Sequence, residues 1–194
     1  MMWHFRRLQA ACGGVMVVLG NLVAGRKVSR IGCGVREGIV YRGMEAGEYG
    51  QVMELYASLH DGRRPNWVMR AVCRWLGGKM TLVAVARHQG QARVVGMNMY
   101  YVNRRDIADE TIHEGFIGVS PDMTGRGVAS ELKRVAIHHF ETQGFKGISA
   151  RISLDNKASL ASAEKLGFVP VERYHDAAMR ADRQYLIRWF QDGS

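Results

Sequence analysis

Gly118-Val119-Ser120-Pro121-Asp122-Met123-Thr124-Gly125-Arg126-Gly127-Val128-Ala129-Ser130-Glu131-Leu132 decides the reading of this chain. Its first residues close a short apolar run over 115–119, the end of a buried strand. Pro121 and Asp122 break that run into a turn. Gly125, Gly127 and the small Ala129 then open an amphipathic helix, with Val128, Leu132, Val135, Ala136 and Phe140 at helical spacing. A glycine-rich turn feeding a helix leaves backbone N–H groups without intrahelical partners. Missing Cβ atoms let another molecule approach the backbone, and the helix dipole adds partial positive charge there. The product is an anion cradle suited to a phosphate or pyrophosphate, to which Arg126 adds a formal charge. A plain turn would also use Gly-x-Gly. The third glycine of a dinucleotide fingerprint and the Gly-Lys-Ser/Thr of a Walker loop are both missing.

Working outward, an apolar strand over 147–152 follows the helix, and then the run Asn156-Lys157-Ala158-Ser159-Leu160-Ala161-Ser162-Ala163-Glu164-Lys165-Leu166-Gly167-Phe168. Together with the glycine loop, this run resembles the GCN5-related N-acetyltransferase (GNAT) superfamily. The resemblance covers roughly residues 38–190 in element order, and its motifs lie in 113–168. It implies that Thr124, Gly125, Arg126, Gly127, Val128 and Ala129 match the family loop Gln/Arg-x-x-Gly-x-Gly/Ala, which holds the pyrophosphate of acetyl-CoA. It places Asn156 with the cofactor-binding residues and implies pantetheine contacts on the strand at Ile117 and Val119. Two positions depart from the family. Thr124 stands where Gln or Arg is preferred, and Ala163 stands where many members carry a Tyr that protonates the leaving thiolate.

The length of 194 residues suits one domain core. The formal net charge of +9 admits nucleic acid, an acidic membrane surface or an anionic ligand. No basic run is interleaved with aromatics as a nucleic-acid platform would be, so no nucleic-acid partner is expected. Cys12, Cys33 and Cys73 make neither a disulfide framework nor a Cys-x-x-Cys pair, and adjacent His138 and His139 cannot act as an i, i+4 pair. Reduced thiols and no metal are expected.

Residues 1–37 differ from the rest. No charged residue occurs between Arg7 and Arg26, and basic residues flank both sides. That layout fits a signal sequence or membrane-surface segment, but Gly13, Gly14, Gly20 and Gly25 make a poor spanning helix. The reading is an N-terminal basic and apolar extension over 1–37, followed by the domain over 38–194. An extra helix or loosely ordered extension ranks first, peripheral membrane contact through 1–30 second and a signal peptide third.

From residue 38 onward the patterns give a strand (38–44), two helices (45–60 and from Asn66), and a hairpin of strands 80–87 and 92–102 about the turn His88-Gln89-Gly90-Gln91. A polar loop (103–111) leads to the organising strand and helix. A strand (146–152), a short helix from Asn156 and strands over 168–174 and 185–189 complete the chain. The fold class is α/β, a GNAT-like mixed and mostly antiparallel sheet of about seven strands with helices on both faces.

Acetyl transfer from a thioester to an amine needs a positioned carbonyl, loss of a proton from the amine, and a donor for the oxyanion. His113 and Glu114 open the organising strand and are the candidate bases. As neighbours they face opposite sides of the sheet. His113 shares regular strand parity with Val119, and an unperturbed imidazole titrates near neutral pH, so His113 is expected in the cleft. Polar residues also begin strands simply where these emerge into solvent. Tyr100 and Tyr101 are candidates for the acceptor pocket. The loop over 60–67, with Arg63 and Arg64, is a candidate for receiving an acidic group on the acceptor.

The expected activity is N-acetyl transfer from acetyl-CoA, a co-substrate, to a small-molecule primary amine or amino sugar in the cytoplasm. Acetylation of a protein N-terminus or lysine, a non-catalytic acyl-CoA-binding module and membrane-associated transfer of a longer acyl group are the alternatives. The oligomeric state is open, a homodimer being one option.

Overall fold

The computed structural model describes residues 2–88, 90–177 and 179–190, with side chains from residue 13 onward. Gln89 of the hairpin turn and the side chain of Cys12 lie outside the described residues. The elements run α1 (Met2–Lys27), β1 (Gly34–Arg36), β2 (Ile39–Gly43), α2 (Tyr49–Ser58), α3 (Trp67–Met80), β3 (Thr81–His88), β4 (Gln91–Tyr101), α4 (Arg104–Asp109), β5 (Thr111–Val119), α5 (Val128–Thr142), β6 (Gly147–Ser153), α6 (Lys157–Lys165), β7 (Val169–Asp176) and β8 (Ala181–Trp189). The strands form one sheet of eight in the order β1-β2-β3-β4-β5-β6-β8-β7. β5 and β6 are parallel, and the other neighbours are antiparallel. The eighth strand, one beyond the seven expected, is β1.

Alternation along β3 shows the two layers. Leu82 and Ala84 face the cluster that contains Leu132, Ala136 and Phe140 of α5. Val83 and Val85 face Val52 and Leu55 of α2 and Cys73 of α3. Asn66 caps α3 as its sequence position suggests, accepting from Met69 N at 2.9 Å. The polar loop expected over 103–111 instead contains α4. Asn103 caps it reciprocally with Asp106, a capping box built from Asn and Asp.

The segment over 13–37 is tied into these layers. Asn21 is fully buried. Its Nδ2 donates to Val17 O at 2.7 Å and Val102 O at 2.8 Å, and its Oδ1 accepts from Val102 N at 2.8 Å. Val28 and Ile31 join the main core, and Ile31 N donates to Gly78 O at 2.9 Å. A Cβ on Gly25 would come 2.7 Å from Leu76 Cδ2, so glycine permits the close approach of α1 to α3. Val15, Met16, Leu19 and Val23 stay exposed. Among the described residues no helix is long and apolar enough to cross a membrane. Asn21→Ala strands both backbone groups of Val102, so it should lower unfolding free energy by about 2–3 kcal/mol. A urea titration showing a change under about 0.5 kcal/mol would mean that α1 leaves the domain without cost.

Candidate functional site

The organising loop takes the conformation its glycines allow. Gly125 has φ +78° and Gly127 has φ +73°, both left-handed, and Gly127 is the N-cap of α5. A Cβ at either position would meet nothing within 4 Å, so the glycines serve backbone conformation and leave open space beside it. Among the described residues, the N–H groups from Gly125 to Ser130 find no acceptor, whereas Glu131 N reaches Gly127 O at 3.0 Å. Arg93 fixes the preceding turn through Asp122 Oδ2 at 3.1 Å and Ser120 Oγ at 2.8 Å. Buried Met123 and Val128 anchor the two ends of the exposed stretch between them. Glu131, the acidic residue of the first turn, is tied to Arg36 at 2.7 Å and to Arg134. A row of free N–H groups at the positive end of a helix fits a phosphate or pyrophosphate.

The strand that leads into this loop, β5, borders a cleft. β5 pairs with β6 only from Thr111↔Gly147 to Glu114↔Ala150, and beyond that point the strands carry no mutual pairing. A cleft of about 240 Å³ lies there, lined by Glu114, Gly115, Phe116 and Ile117 of β5, Ala150 to Ser153 along β6, Lys133 of α5, and Asn156, Ser159 and Arg183. Ile117 thus lines the cleft, and Val119 lies half-buried at the loop end of β5. Asn156 faces the cleft while its Oδ1 caps α6 through Ser159 N at 3.1 Å.

Strand parity fails at one residue. Met99 pairs with Phe116 but Tyr100 pairs with Glu114, so Gly115 is an extra, bulged residue. A Cβ there would sit 2.7 Å from Tyr101 Cε1, which glycine avoids. The bulge puts Glu114 on the same face as Ile117 and Val119, toward α5, and turns His113 to the other face. The expectation that His113 shares the cleft face with Val119 is corrected accordingly.

Glu114 is 8% exposed. Its Oε2 accepts from Asn98 Nδ2 at 2.9 Å and Tyr100 OH at 3.2 Å, and its Oε1 meets Lys133 Nζ at 3.0 Å. Tyr100 therefore supports Glu114 from behind, and its burial pushes its hydroxyl pKa well above the ordinary value.

His113 is 3% exposed and lies among Tyr101, Tyr185 and Ser149. Ser149 Oγ donates to Asp106 Oδ1 at 2.6 Å, so it accepts from His113 Nδ1–H at 2.7 Å, which leaves the lone pair on Nε2. Thr111 and Tyr185 also donate to Asp106 Oδ1, at 2.9 and 3.3 Å. Burial raises the Asp106 pKa against these hydrogen bonds. Burial, with Arg151 and Arg183 nearby, pushes His113 down to about 3, away from the near-neutral titration expected of it. His113 is neutral in the fold, but the unfolded chain takes up its proton below about pH 6.5. Stability is therefore full above that pH and is lost as pH falls toward 3. Between pH 7 and pH 5 the wild type should lose about 2 kcal/mol more than His113→Gln, as read by urea titration at both values.

Lys133, Asp106 and Ser149 were missed in the sequence. Lys133 carried a signal: it lies three residues before Ala136 and seven before Phe140, on the buried stripe of α5. Asp106 and Ser149 meet only through the tertiary fold.

The sequence model of the acetyltransferase (GNAT) family matches residues 50–168, from α2 to the end of α6. A mycothiol acetyltransferase of Streptomyces coelicolor is 36% identical over 66 residues, 34% of this chain and 21% of that protein. One from Rhodococcus jostii is 24% identical over 142 residues, 70% of this chain and 45% of its own. The chain thus spans less than half the length of these curated relatives. The crystal structure of the NatC complex bound to Gag peptide and CoA contains a chain that superposes with a TM-score of 0.67 at 19% identity, covering 79% of this chain and 99% of that one, which speaks to the fold. With the family model matching most of the chain over the very elements that build the loop and the cleft, the chain belongs to the acetyltransferase (GNAT) family.

Proposed function

We propose that the protein transfers the acetyl group of acetyl-CoA to a primary amine of a small molecule. The observation that carries this reading is one continuous path: amide groups free from Gly125 to Ser130, then the unpaired edge of β5, then Glu114 where β5 and β6 part. Backbone N–H groups from Gly125 to Ala129 would hold the pyrophosphate, with Thr124 and Arg126 beside it. Ile117 and Val119 offer the pantetheine arm an edge to pair with as an added strand, and Asn156 faces that arm from α6. The thioester then lies at the apex. Of the two candidate bases, Glu114 faces that apex and is proposed to take the amine's proton. His113, neutral and on the opposite face, supports the strand through Ser149.

A second cavity, of about 380 Å³, adjoins the cleft at Arg151 and is lined by Arg105, Tyr174, His175 and Tyr185 among others. Its arginines and aromatic rings suit a polar acceptor carrying an acidic group or a sugar. The exposed Arg63 and Arg64 remain candidates for receiving an acidic group on the acceptor. The mycothiol acetyltransferase relatives support a small-molecule acceptor, and dependence on acetyl-CoA supports action in the cytoplasm. Free thiol release from acetyl-CoA should be followed across amino sugars, amino-acid amides and a peptide with a free N-terminus. Fastest turnover is expected with a small amine. A peptide preferred over all of them would replace this reading by protein N-terminal acetylation. CoA binding with no turnover on any amine would replace it by a binding module.

A further inference from the structure

Lys133 is the unexplained residue of the cleft. Its side chain is 5% exposed, yet it stands on the helix face that also carries the fully buried Leu132, Ala136 and Phe140. Its ammonium meets Glu114 Oε1 at 3.0 Å and lies 5.4 Å from the centre of the Phe168 ring. An apolar side chain at this place would fill the same layer without desolvating a charge, and buried ion pairs are commonly replaceable that way at no loss of stability. Stability therefore does not account for the lysine, and its place in the cleft suggests chemistry.

The geometry narrows that chemistry. On the proposed path the acyl donor runs from the glycine loop along β5, so its sulfur arrives beside Glu114 and Lys133. A departing thiolate needs a cation or a proton. Arg151 and Arg183 also line the cleft, but a guanidinium does not give up its proton. Tyr100 is behind Glu114 and is no part of the lining. Ala163, buried in the core, presents only a methyl group.

We propose that Lys133 is a second catalytic residue, the proton donor to the sulfur of the acyl donor, working as one unit with Glu114. The inference rests on the acetyl-CoA reading above. The amine nitrogen forms a C–N bond to the thioester carbonyl carbon, and its surplus proton passes to Glu114 Oε1. The C–S bond breaks with its electron pair going to sulfur. Lys133 gives that sulfur a proton, so the thiol leaves neutral. The neutral lysine amine then recovers a proton from the Glu114 carboxyl across their 3.0 Å contact. The amine's proton has moved to the thiol, and the pair returns to its starting state with no other reactant.

The test uses CoA itself and needs no acceptor. The thiolate of bound CoA absorbs in the ultraviolet, so its titration can be followed on the full-length protein. With the ammonium beside it, the thiol of bound CoA should titrate at least about one pH unit below that of free CoA. Lys133→Gln should return it toward the free value while calorimetric affinity for CoA near neutral pH changes by less than about threefold. Arg151→Gln should keep the downward shift. An unshifted thiol on the wild type would overturn the proposal, whether or not the variant folds, as would equal titrations in wild type and Lys133→Gln. Lys133→Arg adds a second arm: it keeps the charge, and so the thiol shift, but should cost about 100-fold or more in turnover because the donor is lost. Full turnover in that variant would overturn proton donation. A wild type that binds no CoA would instead bring down the acetyl-CoA reading on which the inference stands.

Discussion

Glu114→Gln should lower kcat by about 10²–10⁴-fold, the usual worth of a positioned base, with acetyl-CoA affinity nearly unchanged. The amide keeps the size of the side chain and its bonds to Asn98 and Tyr100, but it cannot take the proton of an attacking amine. The pyrophosphate is held at the other end of the cleft, from Gly125 onward, which is why binding and turnover should separate. Lys133 loses its partner in this variant, so folding is checked by the same CoA titration that measures affinity. His113→Gln is the matched control. Its ring lies on the opposite face behind the Gly115 bulge, and its loss should change kcat by less than about tenfold. A damaging His113→Gln beside a mild Glu114→Gln, in steady-state kinetics, would reverse the assignment. If both variants were mild, the amine would be losing its proton to solvent, and catalysis would rest on positioning.

The second large effect is expected at the loop. Gly127→Asp should weaken CoA binding by about 2–4 kcal/mol, from lost N–H contacts and a negative charge at a helix N-terminus. The φ of +73° at this residue adds backbone strain for any side chain. Gly127→Ala separates the causes, since its Cβ meets no protein atom within 4 Å; it carries the strain without the charge. Calorimetry showing unchanged affinity in a folded Gly127→Asp protein would remove the anion cradle from the account.

Much of the fold was legible because its causes are local. The spacing of Val128, Leu132, Ala136 and Phe140 fixes a helix and its buried side, and all four are buried. Asn66 and Asn156 mark helix starts because a short side-chain acceptor satisfies nearby N–H groups, and both do so. The glycines at 125 and 127 mark the turn that opens the helix, and the structure puts both in left-handed backbone there. Loop residues 103–111 read as polar coil because the cap of α4 uses Asn and Asp in place of the common Ser and Glu pairing.

The site depended on causes that no local pattern carries. Regular alternation put His113 with Val119, and one extra residue at Gly115 reversed this, because a bulge shifts every side chain beyond it to the other face. The need for that glycine comes from Met69 of α3 and Tyr101 of the neighbouring strand, both outside its own strand. The lowered pKa of His113 has the same origin, since burial beneath Tyr101 and Tyr185 and the field of Arg151 and Arg183 exist only once β4, β5, β6 and β8 are assembled. The N-terminal segment looked separable by composition, but buried Asn21 reaches across 81 residues of chain to satisfy Val102. The sequence by itself determined the glycine turn, helices α2, α3, α5 and α6, and the family resemblance; the turn and the helices are set by neighbours within a turn or two. The tertiary structure alone decided that Glu114 and Lys133 face the cleft and that His113 does not, because a side chain's face on a bulged strand is settled by the partners across the sheet.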